Sequence, residues 1–142
     1  MGVIYVARSV KLSKWGSDVG VSKHVFKVGI VDEGAPSLKE LAAAGWAGET
    51  DWAIVKQQDA AAVGEEEAIQ RLAPKEKMLD PTLYPKLKGT RGIFKVLPAH
   101  VENHILVSRA LAGDQRSEEL KLKPGDFAAY LIHNALRSAP SE

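Results

Sequence analysis

Two short runs of strand-forming residues near the start constrain this chain most: Gly2-Val3-Ile4-Tyr5-Val6 and Val25-Phe26-Lys27-Val28-Gly29-Ile30. Each is rich in β-branched and aromatic residues over a strand's length, so residues 2–8 and 24–31 read as two strands. Residues 9–23 between them are polar and glycine-bearing, a connection longer than a tight turn, and long loops in compact domains often carry function. Alternation puts Lys27 and Gly29 on one face of the second strand and Phe26 and Val28 on the other.

A helix start follows. Pro36-Ser37-Leu38-Lys39-Glu40 has the Ser-x-x-Glu spacing in which serine and glutamate each satisfy a free backbone donor, and Gly45 stops the helix after Ala44. Trp52-Ala53-Ile54-Val55 reads as a third strand with a core tryptophan. Asp59 is positioned to cap a second helix running through Leu72, and residues 74–92 are broken into loop by prolines and glycines. Ile93–Leu97 reads as a short strand, and Pro98 opens a helix to about Leu111, stopped by Gly113. A last helix runs from Phe127 to about Arg137, with Asp126 as its cap. Strand, strand, helix, strand, helix predicts an α+β domain: a small antiparallel sheet of about three to four strands flanked by helices. The expected layout is a domain over 1–112, with 113–142 a helical C-terminal extension packed on it.

At 142 residues the chain is long enough to bury one core without staples. It has no cysteine, which excludes disulfides, thiolate metal sites and thiol nucleophiles. No apolar run is of membrane-spanning length, and the first residues lack the pattern of a secretion signal, so a cytoplasmic protein without membrane contact is expected. A net charge of +1 gives no global pull toward polyanions. The local distribution is different: Arg8, Lys11, Lys14, Lys23 and Lys27 face Asp18 alone, and Lys86, Lys88, Arg91 and Lys95 occur in a stretch free of acids. Such stretches form phosphate-facing surfaces or, equally, ordinary solvated ones.

The segments Val3-Ile4-Tyr5 and Lys27-Val28-Gly29 resemble the two signature strands of the GIY-YIG nuclease superfamily, in the bacterial and phage-associated branch with lysine in place of the second tyrosine. The resemblance covers roughly residues 2–97. It implies a metal-dependent endonuclease cutting nucleic-acid phosphodiesters, DNA more than RNA, with Mg²⁺ or Mn²⁺ as cofactor, acting as a monomer or homodimer. It also implies that Tyr5 assists the attacking water and that Lys27, Lys39 and Arg91 steady phosphate charge. Glu67 would hold the metal, with Arg8, Lys11, Lys14, Lys23, Lys86, Lys88 and Lys95 gripping the strand. The pattern departs from the family at one point: the helical arginine falls near Ser37, and no arginine lies between Arg8 and Arg71. Lysine lacks the planar fork that grips phosphate. The same fold therefore also admits a catalytically degenerate nucleic-acid-binding module, or a dimerisation domain.

The residues alone leave plainer readings open. A strand tyrosine usually packs against its sheet with the hydroxyl at the rim. Glu67 and Arg71, four apart, make an ordinary helix-surface pair. His100 and His104 share a helix face at metal-binding spacing but lack an evident third ligand, which favours a solvated face. Trp15, among lysines in the long connection, is either exposed for base stacking or folded back on the domain.

Overall fold

The computed structural model describes residues 2–21, 23–32, 38–60, 63–113 and 122–136. Its centre is a five-stranded antiparallel sheet in the order β3-β1-β2-β5-β4. The strands are β1 (Gly2–Ser9), β2 (Val25–Asp32), β3 (Trp52–Asp59), β4 (Lys77–Met78) and β5 (Ile93–Lys95). The helices are α1 (Val10–Asp18), α2 (Leu38–Ala44), α3 (Glu65–Leu72), α4 (Pro98–Leu111) and α5 (Pro124–Leu136). The α+β class is as expected, with a sheet one to two strands wider because the loop after α3 pairs Lys77–Met78 with β5.

The sheet separates two apolar clusters. On one face Ile4, Val6, Phe26, Val28 and Phe94 pack against Ala68, Ile69 and Leu72 of α3, Val101 of α4, and Phe127 and Leu131 of α5. On the other, Tyr5, Ala7, Val25 and Ile93 pack against Leu12 of α1, Ala42 of α2, Trp52, Leu79 and Leu87. The predicted alternation of Lys27 and Gly29 against Phe26 and Val28 follows from this division.

Several local expectations change. The polar connection after β1 is largely helical: the Ser9 hydroxyl accepts from Leu12 N at 3.1 Å, capping α1. The helix is held down by Leu12, Ser13 and Gly16, which are buried, so packing overrides weak propensity. Trp15 is accordingly not an exposed loop aromatic; it meets Tyr84 edge-to-face at 5.8 Å. Asp59 ends β3 rather than capping a helix, and α3 starts after Gly64. Asp126 sits inside the first turn of α5, where its carboxylate accepts from Lys123 N at 2.9 Å. Gly45 ends α2 at φ +90°, as its placement requires, while Ser37 and the rest of 33–37 lie outside the described residues. No helix among the described residues is long and apolar enough to cross a membrane.

Candidate active site on the first hairpin

β1 and β2 pair so that Tyr5 lies opposite Gly29 and Ala7 opposite Lys27. Tyr5 is only 3% exposed and stacks on Trp46 with ring centroids 5.4 Å apart. Gly29 is required by this proximity: a Cβ there would overlap the Tyr5 hydroxyl and come within 2.9 Å of Glu65 Oε1.

The carboxylate arrives for a reason that starts in the sheet. β5 pairs with β2 only from Val25 to Lys27, which leaves the far edge of β2 unpaired. Buried backbone donors need acceptors. Val28 N donates to Gly92 O at 2.8 Å, and Ile30 N donates to Glu65 Oε1 at 3.1 Å. The first turn of α3 thus folds over the open edge and brings Glu65 beside Gly29 and Tyr5.

Lys27 is 6% exposed, with its ammonium 5.6 Å from the Tyr5 ring centre and 5.5 Å from that of Trp46. Its Nζ donates to the Arg91 carbonyl at 3.1 Å. Burial lowers the Lys27 pKa, and the nearby Glu65 carboxylate acts in the opposite direction. Burial also raises the Tyr5 pKa, and Glu65 adds to the rise, so Tyr5 is a neutral phenol at pH 7. A cation over its ring does not make this tyrosine a ready base.

The expected residues are distributed as follows. Tyr5 and Lys27 converge, and the Arg91 backbone joins them while its guanidinium makes a two-pronged ion pair with Glu66 at 2.8 and 3.2 Å. Lys39 lies in α2, and its side chain is outside the described residues. Glu67 does not join Tyr5: it pairs with Arg71 at 2.8 Å, and Arg71 in turn donates to the Ala135 carbonyl on α5. Two residues are about 200° of helix, so Glu65 and Glu67 cannot face the same side. The carboxylate at the candidate site is Glu65, one of three consecutive glutamates that only the start of α3 distinguishes.

Of the remaining cations, Lys86 pairs with Glu49 at 2.6 Å, Lys88 folds along Gly48, and Lys95 is half-buried in β5. Arg8, Lys14 and Lys23 line a separate cleft beside α1 and the start of α5, and Lys11 is exposed on α1. The first basic stretch is therefore divided: Lys27 meets Arg91 of the second stretch at the hairpin site, while Arg8, Lys14 and Lys23 line the other cleft. His100 bonds Glu76 Oε2 through Nδ1 at 2.6 Å, and His104 lies against His133. Among the described residues no group of three histidine, aspartate or glutamate side chains could hold a metal. Glu65 brings a single carboxylate to the site, and its Oε1 already accepts from Ile30 N.

Against known proteins, the chain matches no family model, no curated protein and no solved structure.

Proposed function

We propose that this protein is a GIY-YIG-like endonuclease acting on nucleic-acid phosphodiesters, DNA before RNA, in the cytoplasm. The observation that carries this reading is the convergence of the Tyr5 phenol, the Lys27 ammonium and the Glu65 carboxylate around Gly29. Glu65 is the residue to hold Mg²⁺ or Mn²⁺, which would neutralise charge on the scissile phosphate. Tyr5, kept protonated by burial, donates a hydrogen bond toward the phosphate or water rather than accepting a proton. Lys27 supplies a fixed positive charge beside it, and Arg91 can turn from Glu66 to a phosphate because both side chains are largely exposed. The half-buried face of Trp46 offers a stacking surface for a base.

The neutral state of Tyr5 also favours a second reading, a binding module that has lost catalysis. Nicking of supercoiled plasmid with Mg²⁺ or Mn²⁺ separates the two. Cleavage that Tyr5→Phe and Glu65→Gln both abolish is the nuclease. A gel shift retained without cleavage is the binding module, and neither signal would remove both readings.

A further inference from the structure

The cleft beside α1 lies across the sheet from Tyr5. Arg8 follows Ile4 and Val6 along β1, and His24 and Phe26 lie on the face of β2 opposite Lys27. Its volume of about 470 Å³ falls within the range of small-ligand sites.

Among the described residues, Arg8, Lys14 and Lys23 line it against the single carboxylate of Asp18, three positive groups to one negative. Among the described residues none of those three cations has an ion-pair partner. His24 responds to this field: desolvation first, then Lys23 and Arg8, lowers its pKa.

Ser13, 5% exposed, also lines the cleft, and its hydroxyl has no hydrogen-bond partner. Phe127 stacks on Phe26 at 5.2 Å and on His24 at 4.9 Å, and with the two phenylalanines buried, the apolar rim open to the cleft is His24, Leu122 and Pro124.

We propose that this cleft binds a small phosphate monoester bearing an aromatic group, its dianion held by Arg8, Lys14 and Lys23 and its ring laid against the rim of His24, Leu122 and Pro124. The excess of two positive charges among the described lining residues matches a dianion better than a single carboxylate. This site is independent of the nuclease reading and stands if the Tyr5 site does nothing.

The test is an amide-resolved NMR titration of the full chain with adenosine 5′-monophosphate, with adenosine and inorganic phosphate as separate probes. The expected result is perturbation at Arg8, Ser13, Lys14, Lys23 and His24, with the nucleotide binding more tightly than either fragment. Arg8→Gln and Lys23→Gln should each weaken it about tenfold, and Lys95→Gln should not. Unchanged thermal melting of the exposed variant Lys23→Gln separates lost binding from lost fold. Silence of these amides at millimolar nucleotide overturns the proposal, as does perturbation confined to Tyr5 and Lys27. Equal binding of adenosine overturns the anion contacts, and equal binding of phosphate overturns the apolar rim. Tighter binding of a 5′-phosphorylated oligonucleotide at the same amides would replace the small ligand with a strand end.

Discussion

The two charged regions of this sheet differ in what their cations already face. At the hairpin site the charges are engaged within the protein: Lys27 with the Arg91 carbonyl and Arg91 with Glu66. In the cleft beside α1 the three cations have no such partner among the described residues. A buried ammonium needs fixed acceptors, so Lys27 is held in place whether or not a ligand is present. Exposed lysines and arginines are solvated and wait for a counter-ion. The hairpin site is therefore preorganised and stiff, and the cleft is open and dependent on salt. Counting basic residues in the sequence treats the two alike; their neighbours make them different.

The change expected to have the largest effect is Gly29→Ala. Its methyl would overlap the Tyr5 hydroxyl, whose ring is pinned by Trp46, so relief requires the hairpin itself to shift. Overpacking of this kind costs about 1–3 kcal/mol, read by urea denaturation, and should eliminate any cleavage. Nucleotide binding in the cleft should survive in the folded fraction. Its loss would show that the two regions are mechanically one.

Next in size is Glu65→Gln, expected to reduce cleavage about 100-fold, as loss of one fixed electrostatic group does. If cleavage persists at the wild-type rate, the acceptor for Ile30 N is all that Glu65 is. A third test uses alkali. Tyr5 has a folded pKa raised above its unfolded value, so its contribution is complete below about pH 10 and is lost as pH climbs further. Lys27, with a lowered value, acts in the opposite sense as pH approaches about 10.4 from below. Wild type should therefore lose stability more steeply than Tyr5→Phe above about pH 10. Parallel curves would mean that the phenol is not buried in solution.

Much of the sheet was legible because period-two runs and turn residues agree: β1, β2 and the start of β3 were readable from Val, Ile, Tyr and Trp alone. Alternation placed Lys27 and Gly29 on one face of β2, whereas the register that sets Tyr5 opposite Gly29 is a fact of the pairing itself. What escaped was set by tertiary contacts. α1 has two lysines, a glycine and little intrinsic preference, and becomes a helix because Ser9 caps it and Leu12 finds the second cluster. The choice of Glu65 over Glu67 depends on where β5 stops pairing with β2, a long-range fact with no local signature. The Glu66–Arg91 pair joins residues 25 apart and was equally invisible. One signal was available: in a helix opened by three glutamates, the one with a basic residue four positions on is already spoken for, and Glu67 has Arg71.

That signal yields the smallest prediction. Glu67→Gln removes the partner of Arg71, but the Glu67 side chain is half exposed and Arg71 keeps its bond to the Ala135 carbonyl. The expected loss is about 0.3–0.5 kcal/mol, shrinking as salt is raised, with cleavage and nucleotide binding unchanged. The measurement is a urea midpoint at low and high salt alongside the plasmid assay. Because Glu65 and Glu67 sit two positions apart on one turn with opposite outlooks, the pair is an internal control. A large effect at position 67 with a small one at 65 would mean that α3 is rotated relative to the sheet, and the hairpin site would have to be rebuilt around a different carboxylate.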